Sequence, residues 1–206
     1  MTSSTIGIIG LGYVGLPLSL QFARTGSVEL GFDIDPVKTT ALMESRSYIL
    51  HIPVEAVREQ REAGRFAATT DFSRASECEA LIICVPTPLA RHRDPDLTYV
   101  LNTGKAIAPH LRPEQLVVLE STTCPGTTDT ELREVLETGS GLEAGADFHL
   151  AFSPEREDPG NPQSDVAHIP KIVGGFTPEC QKHALAVYGP ASRPSFRWKA
   201  VAWPRP

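Results

Sequence analysis

Six residues near the start of the chain restrict what it can fold into more than anything else in it. Gly10-Leu11-Gly12-Tyr13-Val14-Gly15 spaces its glycines as G-x-G-x-x-G. That spacing alone is weak. Here the apolar run Thr5 to Ile9 enters it as a buried strand, and a helical pattern, Val14 to Arg24, leaves it. Gly26 closes that helix, and Pro17 sits in its first turn, where a missing N–H costs little. Strand, glycine turn and helix in this order are the context in which the motif holds a pyrophosphate. Gly10 permits the tight turn, Gly12 lets backbone approach the phosphates, and Gly15 allows the helix to pack closely on the strand. The helix N-terminus then presents N–H groups and the positive end of its dipole to the anion.

The second strand, Val28 to Asp33, ends in a carboxylate about 20 residues beyond the turn, where a dinucleotide fold places one. A carboxylate there accepts hydrogen bonds from ribose hydroxyls and repels a 2′-phosphate, so the expected cofactor is NAD rather than NADP. Helices are expected from Pro36 to about Ser45, from Pro53 to about Ala63, over Asp96 to Leu111, over Thr127 to Leu136 and over Thr177 to Tyr188. Strands are expected at Ala80 to Val85, Leu116 to Leu119, Leu150 to Phe152 and Ile172 to Val173. Strands alternating with helices imply an α/β fold of the Rossmann type: a doubly wound, mostly parallel sheet with helices on both faces.

Composition narrows the partners. A net charge of −6 over 206 residues argues against nucleic acid or an anionic membrane surface. No apolar run approaches the ~20 residues of a membrane span, and the N-terminus lacks the features of a signal peptide. Cys78, Cys84, Cys124 and Cys180 match no metal or redox spacing. They read as reduced thiols, with no metal expected and a cytoplasmic location. Cys78 and Cys84 flank a buried strand and read as core, Cys180 lies on a peripheral helix, and Cys124 falls near the expected nicotinamide position.

The run from Ile6 to Leu18 resembles the start of the UDP-glucose/GDP-mannose dehydrogenase family. Three later motifs carry the resemblance in the same order: Val85-Pro86-Thr87-Pro88, then Glu120-Ser121-Thr122-Thr123-Cys124-Pro125-Gly126-Thr127, then Ser153-Pro154-Glu155-Arg156-Glu157-Asp158-Pro159-Gly160. The third motif and His51-Ile52-Pro53 are similar to the bacterial branch acting on UDP-N-acetylglucosamine for surface polysaccharide. The resemblance runs from about Ile6 to Tyr188.

It implies NAD contacts at Tyr13, Val14, Asp33, Lys38, Thr87 and Thr123 beside the three glycines. It also implies a UDP-sugar substrate whose C6 alcohol is oxidised to a carboxylate with two NAD. An aldehyde forms first, and a cysteine then captures it on the way to a thioester. Glu155 matches the family's acid/base glutamate and Thr123 belongs to the same catalytic surroundings. Glu155 and Arg156 are the candidates for holding the sugar nucleotide. Full-length members are homo-oligomers.

The resemblance places the nucleophilic cysteine, in a glycine-rich motif, and its lysine and asparagine partners after Tyr188. Gly189 to Pro206 resembles none of this: it holds both tryptophans, several prolines and basic residues and no acid, without helical or strand periodicity. Residues 1–188 are therefore read as the NAD-binding domain and 189–206 as an irregular basic tail, non-native or truncated. The rival readings are another nicotinamide enzyme with the same first domain, such as a β-hydroxyacid dehydrogenase, and a non-catalytic NAD-binding fragment.

Overall fold

In the computed structural model, residues 4–89, 95–154 and 172–191 and the backbone of Lys199–Ala200 are described. The strands are β1 (Thr5–Ile9), β2 (Val28–Phe32), β3 (Phe66–Thr69), β4 (Ala80–Ile83), β5 (Leu116–Leu119), β6 (His149–Phe152), β7 (Ile172–Gly175) and β8 (Lys199–Ala200). The longer helices are α1 (Gly15–Arg24), α2 (Pro36–Met43), α3 (Val54–Glu62), α4 (Thr98–Ile107), α5 (Arg133–Ser140) and α6 (Pro178–Tyr188).

The strands form one sheet in the order β3-β2-β1-β4-β5-β6-β7-β8. Every described pairing is parallel except β6 with β7, which is antiparallel. The first six strands thus follow the order of the dinucleotide-binding fold, reversing direction of winding at β1. Such a sheet is covered on both faces, and its central strands read as unbroken apolar runs. Ala80, Leu81, Ile82 and Ile83 of β4 are all fully buried. Ala80 and Ile82 join one core cluster with Leu16, Leu20, Phe22, Val57, Phe66 and Tyr188. Leu81 and Ile83 join the other, with Val100, Ile107, Leu132 and Leu136. Helices α1, α3 and α6 therefore close one face and α4 and α5 the other.

Several expectations from sequence shift at their edges. β3 is absent from them; Phe-Ala-Ala-Thr is short, and it is held as a strand by its register on β2, with Glu29 opposite Phe66. The helix expected to Leu111 stops at Ile107 and passes into a 3-10 turn, Ala108–His110, because Pro109 brings no N–H. The helix expected from Thr127 opens as a π-helical turn, Thr128–Leu132, before α5, and runs on to Ser140, where Gly141 at φ 73° ends it. Cys180 is not peripheral in environment: α6 lies on the sheet, Cys180 is fully buried, and its sulfur accepts from the Thr177 hydroxyl at 3.1 Å. Within 189–206, Gly189–Ala191 forms a 3-10 turn whose Ala191 carbonyl accepts from Gln21 Nε2 at 3.2 Å, and Lys199–Ala200 pairs with β7.

One charge sits where the fold gives it little support. Glu29 in β2 is 1% exposed, and neither carboxylate oxygen has a hydrogen-bond partner among the described residues. Burial pushes its carboxyl well above the ordinary range. The folded chain then holds a proton that the unfolded chain releases above pH ~4.3, so this group makes stability fall as pH rises from there through its raised value. Replacing Glu29 by Gln removes the titration while keeping the shape. Thermal unfolding from pH 4 to 9 should show E29Q gaining on the wild type as pH rises, with the gap closing toward pH 4; parallel curves would show that Glu29 is not the source.

Candidate functional site

The site begins at the carboxyl end of β1, between its neighbours β2 and β4, where the winding reverses and loops part to leave a crevice. Gly10 leaves β1 at φ 94° and donates its N–H to the Phe32 carbonyl at 2.8 Å, so the turn is tied to β2 as soon as it starts. Gly15 opens α1 against that turn: a Cβ there would lie 1.9 Å from the Gly10 carbonyl oxygen, inside contact distance. Only a glycine lets the helix start this close to the strand. Gly12 is the opposite case, since a Cβ on it would meet nothing within 4 Å. Its lack of a side chain answers no protein neighbour; it leaves open the space over the turn that a pyrophosphate needs. The cap position of α1 is Val14, which supplies no side-chain hydrogen bond, so the first-turn N–H groups keep no side-chain cap. Tyr13 is 57% exposed and stacks on His51, ring centroids 5.9 Å apart.

Asp33 follows β2 and is only 5% exposed. Its Oδ2 accepts from the Leu11 N–H at 3.0 Å and from Lys38 Nζ at 3.2 Å, and its Oδ1 accepts from the Asp35 N–H at 3.0 Å. The carboxylate therefore organises the glycine turn and the start of α2. Lys38, a partly exposed residue one turn into α2, is brought to Asp33 by this pairing. The segment between α2 and α3 returns over the turn, and Tyr48 donates its hydroxyl to the Leu11 carbonyl at 2.5 Å.

On the other side of the crevice the loops after β4 and β5 are clasped together. Ser121, buried at the end of β5, donates to the Val85 carbonyl at 2.8 Å, and Thr87 donates its hydroxyl to the Thr122 carbonyl. Thr87 and Thr123 thus come from two strands to one rim, both half-buried. Cys124 beside them is exposed, whereas Cys78 and Cys84 are buried, and burial pushes the Cys78 thiol up to about 12. Behind this rim Tyr188 of α6 donates to Glu120 Oε2 at 2.5 Å, fixing α6 to the end of β5.

The structure therefore brings together Gly10, Gly12, Tyr13, Val14, Gly15, Asp33 and Lys38 on one flank and Thr87 and Thr123 on the other. Glu155 and Arg156 lie outside the described residues. Sequence reasoning missed Tyr48, Ser121 and the Glu120–Tyr188 bond. Ser121 lies within a quoted motif and could have been suspected there, whereas Tyr48 lies in an irregular connector whose direction no periodicity gives.

A doubly wound sheet with a glycine turn, an open Gly12 and an acid at the end of β2 defines a dinucleotide-binding domain of the dehydrogenase type. The chain belongs to the UDP-glucose/GDP-mannose dehydrogenase family, whose NAD binding domain matches residues 4–192. It is 34% identical over 188 residues to UDP-N-acetyl-D-glucosamine 6-dehydrogenase of Pseudomonas aeruginosa, covering 91% of this chain and 44% of that protein. It is 33% identical to UDP-N-acetyl-D-mannosamine dehydrogenase of Escherichia coli (strain K12), over 91% of this chain and 46% of the relative. Among solved structures, NDP-N-acetyl-D-galactosaminuronic acid dehydrogenase from Methanosarcina mazei Go1 superposes with a TM-score of 0.86 at 32% identity, covering 97% of this chain and 44% of that one. The chain spans less than half the length of these relatives. NAD is thus the cofactor that this domain is built to bind.

Two measurements test the flank around the glycine turn. Titration calorimetry should give NAD an affinity at least about tenfold above NADP, roughly 1.4 kcal/mol, and equal affinities would remove Asp33 from ribose recognition. Gly12→Ala should fold with an unchanged unfolding midpoint, since its Cβ meets no protein atom, yet lose most NAD binding. NAD binding at wild-type strength by that variant would show that the phosphates lie elsewhere.

Proposed function

We propose that this chain is the NAD-binding part of an enzyme that oxidises the C6 alcohol of a UDP-sugar, UDP-N-acetylglucosamine above others, to the carboxylate with two NAD. The match of residues 4–192 to the family's NAD binding domain carries this reading, and the first relatives are named for sugar-nucleotide dehydrogenases. When bound, NAD supplies the hydride acceptor for each oxidation. The chain's own residues do the rest of what this half contributes. The turn at Gly10–Gly15 and the start of α1 take the pyrophosphate, and Asp33 with Lys38 takes the adenosine ribose. Thr87, tied to the loop after β5 through the Thr122 carbonyl, and Thr123 beside it are the proposed contacts at the nicotinamide end, with Thr123 the proposed partner of the reacting alcohol. Glu155 is the proposed acid/base, and Glu155 and Arg156 the proposed contacts to the sugar nucleotide; in the sequence their motif begins at Ser153, directly after β6.

A second reading rests on the thiols. Oxidation to a carboxylate through a thioester needs a nucleophilic cysteine. Cys78, Cys84 and Cys180 are buried. Cys124 is exposed, but the family reading gives it no role. We infer that the 206-residue chain binds NAD without completing the reaction. Incubated with UDP-N-acetylglucosamine and NAD for hours, it should form neither NADH nor sugar carboxylate above background, by absorbance and product mass. Sustained turnover would assign the missing nucleophile to these residues, with Cys124→Ser as the first variant to make.

A further inference from the structure

We propose that Tyr48 is a positioning residue for the phosphate-binding turn, gripping the Leu11 carbonyl while Asp33 holds the Leu11 N–H. Leu11 is held at both of its backbone polar groups: its N–H donates to Asp33 Oδ2 at 3.0 Å, and its carbonyl accepts from the Tyr48 hydroxyl at 2.5 Å. The Leu11–Gly12 peptide is trans, as no cis bond occurs among the described residues. In a planar trans peptide the carbonyl and the following N–H point in opposite directions. Fixing the Leu11 carbonyl toward Tyr48 therefore fixes the Gly12 N–H away from it, on the far side of the turn. A glycine either side of Leu11 would otherwise leave this peptide free to rotate, and an anion site built from backbone N–H groups loses affinity when its donors must be ordered by the ligand.

The connector that delivers Tyr48 is itself anchored. Ile49 and Ile52 are buried in the core cluster beneath α1, and Tyr48 packs against that cluster. His51 stacks on Tyr13, one residue past Gly12, so the connector touches the turn twice. Lys38 Nζ lies 6.0 Å from the Tyr48 ring centroid and 3.2 Å from Asp33, placing ring, lysine and acid in one group around Leu11. Burial, and then the charges of Asp33 and Asp35, push the Tyr48 hydroxyl upward, so it remains a donor throughout the working range. The motif G-x-G-x-x-G does not encode this grip; it comes from a residue more than thirty positions later.

This role rests on the NAD site and is tested with the whole chain. Tyr48→Phe removes the hydroxyl and keeps the ring. Affinity for ADP-ribose, which carries the pyrophosphate, should fall about fivefold, the size of one neutral hydrogen bond. Affinity for adenosine, which carries no phosphate, should stay as in the wild type by NMR titration, and the unfolding midpoint should move little. Tyr48→Leu, which also removes the ring beside Lys38, should reproduce the selective loss for ADP-ribose. Unchanged ADP-ribose affinity in Y48F, or equal losses for both ligands, overturns the proposal, the second outcome marking a purely structural residue. A wild-type chain with no affinity for ADP-ribose overturns both the site and this role.

Discussion

The carboxylate of Asp33 is where the geometry of the cofactor flank is decided. It is nearly buried, and it reaches three partners in three different segments: the Leu11 N–H in the glycine turn, the Asp35 N–H at the entry to α2, and Lys38 inside α2. A buried carboxylate is tolerated only when its oxygens are well supplied with donors. Here those donors are the parts of the site itself. The same contacts that make the charge acceptable hold the turn and α2 in fixed relation to β2, so the acid is a structural joint.

Around that joint, close packing does the rest. Gly15 sits against the Gly10 carbonyl, which sets α1 directly on the end of β1. On the far side of the crevice the Ser121 and Thr87 hydroxyls tie the loops after β4 and β5 to one another. Both flanks are thus built from backbone positions locked by neighbouring segments, which suits a site whose ligand is long and must be held at several points. Glu29 shows the contrast within the same strand as Phe32: its burial serves no described partner, and its carboxyl shifts upward in place of finding donors.

How much of this was legible beforehand depends on whether a feature is local. Strands β1, β4 and β5 and the start of α1 follow from apolar runs and glycine spacing, because a central parallel strand must be apolar on both faces. The cofactor flank was legible for the same reason, since turn, helix start and Asp33 lie within one strand–helix–strand unit. The edge strand β3 was not, because Phe66–Thr69 has little β character of its own and is a strand by pairing with β2. Nor was the end of α4, where Pro109 converts the last turn to 3-10 geometry. Cys180 read as peripheral because α6 is weakly amphipathic in sequence, although α6 is seated on the sheet through Ala184 and Tyr188.

Sequence by itself determined the alternation of strands and helices apart from β3 and β8, the glycine turn, the acid after β2 and the NAD-type cofactor, because each is a property of a few neighbouring residues. Only the tertiary structure decided which distant groups meet around the site. Tyr48 reaches the glycine turn through an irregular connector, Ser121 ties the loops after β4 and β5, and Tyr188 of α6 reaches Glu120 behind them. Their partners are 37, 36 and 68 positions away in the chain. At such separations the direction of a side chain depends on how whole elements pack against the sheet, and no local pattern in the sequence carries that information.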